Sequence, residues 1–248
     1  MVRILLSIDD LARTRVVSSF GPVIESIFAV GAWLQGGGEY FRTWRRAVVS
    51  ELSHRLDLSD RLTRIARSDD VIGDLLAVWS DGQKQAAPGS GIAGMSSEEI
   101  MMTVHDFSRF AVRPHWARTQ ARLDAERDSF RQIMSADGVE AMLRSLHPRI
   151  RWNAPVLEIG GAGPGELQLD GRGLLLSPSL FVQGPGHVLL NPAADYALPP
   201  AVVFPLRPDT RGRPLLVERD AAGSTDRALA ALVGRTRAAA LAALLDGT

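Results

Sequence analysis

The chain changes texture once, at Arg149, and that change limits its architecture more than any other feature. Before it, apolar residues recur every three to four positions: Val23, Ile27, Val30 and Leu34 in one segment, Phe41, Trp44, Val48 and Leu52 in the next. That is the period of a helix with one buried face. After it come short apolar runs punctuated by Gly and Pro: Trp152, Val156 to Ile159, Leu167 to Leu169, Leu174 to Leu176, Leu180 to Val182, Val188 to Leu190 and Val202 to Phe204. Such runs read as short strands with tight turns. The expectation is α+β: a mainly helical region over 1–148, a small, mostly antiparallel sheet over 149–218, and a C-terminal amphipathic helix within 219–248.

Local signals refine this order. Val2 to Leu6 reads as a strand, and Ser7 with Asp10 as a capping-box start to a helix. Gly21-Pro22 opens the next helix and Gly36-Gly-Gly38 breaks it. A third helix spans Tyr40 to Leu56, with shorter ones at Asp60 to Ala66 and Val71 to Trp79. Ser80 to Met95 is loop-like, and Ser96 with Glu99 restarts a helix. Pro114 begins another, His115 to about Met134, whose mixed charges form a solvated face; Gly138 to Leu146 adds one more. Asp170-Gly171 is a hairpin signal, and Thr225 caps the tail helix.

The composition removes several functions. Lys+Arg 28 balances Asp+Glu 28, whereas a duplex-gripping surface carries a basic excess. Cys is absent from the sequence, which excludes disulfides, thiolate metal sites and Cys nucleophiles. No apolar stretch is long enough for a membrane span, and a cytoplasmic location fits. The segment Val156-Leu-Glu-Ile-Gly-Gly-Ala-Gly-Pro-Gly-Glu166 looks like the glycine-rich loop of S-adenosylmethionine-dependent methyltransferases. That chemistry needs strand, loop, then helix, but Leu167-Gln-Leu-Asp-Gly predicts a hairpin. The segment reads instead as a turn between antiparallel strands, with Glu158 at the sheet edge. No cofactor is expected.

Five histidines, His54, His105, His115, His147 and His187, show no helical pairing that would hold zinc, so no metal site is expected. His147 stands at a helix C-terminus, which favours an imidazolium. Arg42, Arg45 and Arg46 form a basic cluster read as a solvated face. For catalysis the acid/base candidates are His105, Asp106, His115 and Glu158. For a flat apolar ligand the candidate lining is Trp33, Phe41, Trp44, Trp79, Phe107, Phe110, Trp116 and Phe181.

Several segments together resemble one family. They are Ser7 to Arg15, Ser145-Leu-His-Pro-Arg-Ile-Arg-Trp-Asn-Ala-Pro-Val-Leu-Glu158, Leu169-Asp-Gly-Arg-Gly-Leu-Leu-Leu-Ser-Pro-Ser-Leu-Phe181, Pro200 to Pro205 and the tail from Leu229 to Thr248. In this order they resemble the N-terminal region of ArsR-like winged helix-turn-helix regulators of high-GC actinobacteria. The resemblance implies an effector-sensing and dimerising domain whose tail helix, Thr225 to Leu245, leads into a DNA reader absent from this sequence. Its implied partners are a small organic effector and a second copy, with DNA reached only through that reader. The alternative is an enzyme or ligand-binding accessory protein standing alone on the same scaffold, for instance in secondary metabolism.

Overall fold

The computed structural model describes residues 1–36, 41–83, 92, 94–160, 165–184, 187–189 and 199–206. The chain divides into units Met1–Arg213 and Pro214–Thr248, and all described residues belong to the first. The expected tail helix lies outside the described residues, as does most of the Ser80 to Met95 loop.

The fold is α+β, with helices leading and strands following. Strand β1 (Val2–Leu5) enters helix α1 (Ile8–Arg13), where the Ser7–Asp10 capping box forms as its sequence predicts. A two-residue strand β2 (Arg15–Val16) follows. Helix α2 (Pro22–Leu34) starts at Gly21, whose φ of 94° sets the entry to Pro22. From Ile24 to Ala32 every residue is buried, so α2 is the centre of the helical layer. Gly31 permits this: a Cβ there would lie 2.7 Å from Ile72 Cδ1 on the neighbouring helix.

The segment expected as one helix from Tyr40 to Leu56 is shorter. Helix α3 (Arg42–Leu52) ends before His54, and α4 (Leu56–Ile65) begins after Arg55. Helix α5 (Val71–Gln83) runs further than expected, taking in Ser80. Helix α6 (Ser97–Ala111) has the expected Ser96–Glu99 box. A 3-10 turn, Arg113–His115, links it to the long α7 (Trp116–Asp137), and α8 (Val139–Arg144) follows Gly138.

The expectation of one mostly antiparallel sheet is corrected. The strands β3 (Ile150–Asn153), β4 (Val156–Ile159), β5 (Gly165–Gln168), β6 (Leu175–Ser179), β7 (His187–Leu189) and β8 (Ala201–Pro205), together with β1 and β2, form two mixed sheets. Their orders are β3-β4-β1-β5 and β2-β6-β8-β7. β1 runs antiparallel to β4 but parallel to β5, and β6 runs parallel to both β2 and β8. Chain pattern could not show this, because the N-terminal strands pair with partners far away in sequence: β1 inserts between β4 and β5, and β2 adds to an edge beside β6.

Three local expectations also fail. Asp170 and Gly171 do form a tight turn, with φ of 53° and 77° and Arg172 N donating to Leu169 O at 3.0 Å. The turn carries the chain from one sheet to the other and makes no hairpin, since β5 and β6 do not pair. Glu158 is not at an edge; its strand β4 lies between β3 and β1. Leu180 to Val182 is coil after β6, yet all three residues are buried.

The first sheet alternates cleanly. Its inner row is Trp152, Leu157, Ile4 and Leu167; its outer row is Arg151, Glu158, Arg3 and Glu166, alternating in charge across four strands. Arg3 Nη1 lies 3.4 Å from Glu166 Oε2 at the surface, where such pairs contribute at most about 1 kcal/mol. The inner row joins Leu176, Val202 and Phe204 of the second sheet and Phe130, Met142, Leu143 and Leu146 of α7, α8 and the residues after it in one core. Asp10 fastens α1 to this core. Its Oδ1 accepts from Gly173 N at 2.9 Å and its Oδ2 from Ser7 N at 2.8 Å. Burial works against the Asp10 carboxylate, but the bonds from Ser7 and from the Gly173 and Gly171 amides outweigh it and hold its pKa below the ordinary value.

Candidate functional site

The expected aromatic lining assembles, but on itself. Trp33, Phe41, Trp44, Phe107, Phe110 and Phe181 form a continuous set of ring contacts. Phe41 stacks on Phe181 with centroids 5.6 Å apart, and Trp44 meets Phe181 at 5.1 Å and Phe107 at 6.5 Å. Trp33 and Phe110 extend it through Phe107. Trp44 Nε1 donates to Ala111 O at 2.7 Å, satisfying the buried indole. These rings fill the interior between α3, α6 and the coil after β6. Trp79 and Trp116 are half-buried on α5 and α7 and no ring contact joins them to the cluster.

The space for a ligand lies beside this cluster, between α2 and α6. A groove of about 380 Å³ has Pro22, Val23 and Ser26 on one wall and Glu98, Met101, Met102 and His105 on the other, with Arg113 at one end. The α6 residues recur at the helical interval, so they share one stripe. Val23 and Met102 are 43% and 55% exposed, large apolar side chains left open to solvent on facing helices. Ser26 Oγ and Ser108 Oγ, 2.7 Å apart, tie the two walls together and are buried. The volume falls within the range of small-molecule pockets.

A wider hollow of about 670 Å³ lies near the start of β3, with Arg144, His147, Arg151 and Trp152 among its lining. Several of its polar groups are engaged: Glu140 Oε2 accepts from Arg144 at 2.8 Å and from Trp152 Nε1 at 3.1 Å. His147 Nδ1 accepts from the Arg149 amide at 3.2 Å, and burial followed by the Arg149 charge lowers its pKa. The expected imidazolium is therefore disfavoured, because Nδ1 serves as an acceptor.

The four acid/base candidates are not gathered. His105 is exposed on the groove and Asp106 also borders it. The Asp106 carboxylate is turned to α4, where Arg61 Nη2 lies 3.2 Å away and also pairs with Asp57 at 3.0 Å. His115 belongs to the 3-10 turn. Glu158 sits on the first sheet, where Asn153 Nδ2 donates to it at 3.4 Å. Among the described residues, no group of three or more His, Asp or Glu side chains is placed to hold a metal ion. No described helix is long and apolar enough to cross a membrane. The glycine-rich segment after β4 leads into β5 and not into a helix, so it lacks the strand–loop–helix context of a nucleotide site.

One buried group was missed. Glu25 on α2 is 2% exposed, and its carboxylate accepts from Ser179 Oγ at 3.0 Å and from the Phe181 and Leu180 amides. Burial pushes its pKa up to about 7 despite these bonds. A signal exists in the sequence: Glu25 is the one charge in Pro22-Val-Ile-Glu-Ser-Ile-Phe-Ala-Val-Gly-Ala-Trp-Leu34. Met101-Met102 was the corresponding signal for the groove. No protein-family model, curated protein or solved structure matches the chain.

Proposed function

We propose that the chain is the effector-sensing and dimerising part of a regulator of the ArsR-like type, and that the groove between α2 and α6 receives its small organic effector. The observation that carries the effector site is the pair Val23 and Met102, exposed on facing helices across a space of small-molecule size. Covering such half-exposed side chains with an apolar ligand contributes about 1 kcal/mol each. Methionine adapts its shape to the occupant at little cost. His105 and Arg113 at the margin suit an amphipathic ligand with a polar or anionic end. The regulator identity rests on the resemblance of segments 145–158, 169–181 and 200–205. The enzyme alternative has less to draw on, since Asp106 is committed to Arg61 and does not serve His105.

Titration with the apolar fluorophore 1-anilinonaphthalene-8-sulfonate tests the site. Saturable fluorescence is expected for the whole chain. Met102→Glu, at an exposed position, is expected to weaken binding about tenfold with an unchanged melting temperature. Equal binding by the wild type and by both Met102→Glu and Val23→Glu would sink the assignment.

A further inference from the structure

Helix α2 faces different partners on its two sides. Toward α6 it walls the groove with Pro22, Val23 and Ser26. Away from the groove, Glu25 is held by Ser179 Oγ and the amides of Phe181 and Leu180. The opposite wall reaches the same segment by another route. Trp44 donates to Ala111 O at the end of α6 and packs on both Phe107 of α6 and Phe181. Both walls are thus tied behind the groove to residues 179–181. Ser179 has further bonds: its Oγ accepts from Val182 N at 3.2 Å, and its carbonyl accepts from Leu206 N at 2.8 Å, where β8 ends and the chain runs on into residues 207–248.

We propose that groove occupancy is coupled to this junction: a ligand that parts α2 from α6 loosens the Glu25–Ser179 contact and, through Ser179 and Leu206, changes the hold on the end of β8. The coupling rests on the groove being the ligand site. Its physical basis is that the Glu25 carboxyl is dry only while α2 is seated. Parting the helices admits water, which favours the ionised form. Ligand binding therefore releases a proton from Glu25, and by linkage a rise in pH strengthens ligand binding. The charged or titratable residues on the helices packed against α2 are Asp74 and Asp81 on α5 and Glu98, Glu99, His105, Asp106 and Arg109 on α6. Among the described groups none contributes to the balance at Glu25, which burial, the Ser179 hydroxyl and the two amides set. The segment 179–184 carries no charge.

The test is to titrate the whole chain with 1-anilinonaphthalene-8-sulfonate at about pH 5.5 and about pH 8, where affinity is expected to rise about tenfold with pH. General attraction of the sulfonate to a protein runs the other way, weakening as pH rises. Glu25→Gln should remove the rise. Ser179→Ala should keep it but displace it to higher pH, because the hydroxyl favours the ionised carboxylate. A pH response identical in wild type and Glu25→Gln overturns the coupling. So does an undisplaced response in Ser179→Ala, which stands as the test if Glu25→Gln fails to fold. In either case, loss of probe binding in Met102→Glu leaves the groove assignment intact. Probe binding that is absent, or indifferent to Met102→Glu, removes the groove assignment and the coupling with it.

Discussion

Gly173 shows how much of this fold rests on single atoms. Its φ is +81°, and a Cβ there would lie 2.6 Å from Arg13 Cβ and 2.7 Å from the Arg13 carbonyl oxygen. Its amide is also the donor to Asp10. Any side chain meets both an unfavourable backbone conformation and the backbone of the residue ending α1. Gly173→Ala is therefore expected to destabilise the chain by about 3 kcal/mol, read from chemical denaturation, with an unchanged m-value. Gly21 has a similar φ of 94° but nothing within 4 Å of a Cβ, so only the conformational part of that cost applies there. Asp10 was legible as a cap residue from its spacing to Ser7. Its second role, binding Gly173 from far along the chain, was not, because local pattern carries no information on what approaches a helix end from elsewhere.

At the scale of elements, the α2–α5 crossing is set by Gly31 against Ile72. Gly31→Leu is expected to cost about 2 kcal/mol or more through overpacking. Ile72→Ala should cost less in that background than alone, since the space it vacates is then used, and a double-mutant cycle of thermal melts reads the difference. The helices themselves were readable: both capping boxes form, and the Gly21-Pro22 start holds. The strands were readable as strands, because apolar runs bounded by turns report backbone shape. Their pairing was not. The Asp170-Gly171 turn predicts a hairpin when its two flanks are assumed to be neighbours, and here β1 and β2 take the adjoining places. The groove was half legible. His105 and Asp106 were singled out as chemistry, but the methionines before them carry no such signal. Only the placement of α6 at the surface reveals that Met102 is open. Six of the eight aromatic residues singled out meet one another, while Trp79 and Trp116 stand apart, and composition could not distinguish rings that line a space from rings that fill it.

For the whole molecule, Glu25 and Asp10 set opposite limbs of a pH profile. The folded Glu25 has a pKa of about 7 against an ordinary value of 4.5. Its contribution to stability is complete below the lower value, declines as pH rises toward 7, and is level above it, a change of about 3 kcal/mol. Asp10 has a lowered pKa, so its contribution is present above the ordinary 3.8 and lost as pH falls through the folded value. Thermal melts across pH are expected to peak in mildly acidic solution, and Glu25→Gln should flatten the descent toward neutrality while leaving the acid limb. A flat wild-type profile over that descent excludes the buried-acid account. The topology carries a consequence of another kind. β1, made before the other strands of its sheet, lies between β4 and β5, so its hydrogen bonds wait until residues 156–168 have been synthesised and have cleared the exit tunnel. Until then Val2, Ile4 and Leu6 have no sheet to join, and the nascent helices must stay soluble around an unfinished core. Maturation is thus gated by the emergence of the second half of the chain. Removing the first six residues would leave every later strand intact in sequence while depriving the first sheet of the member that joins its two sides.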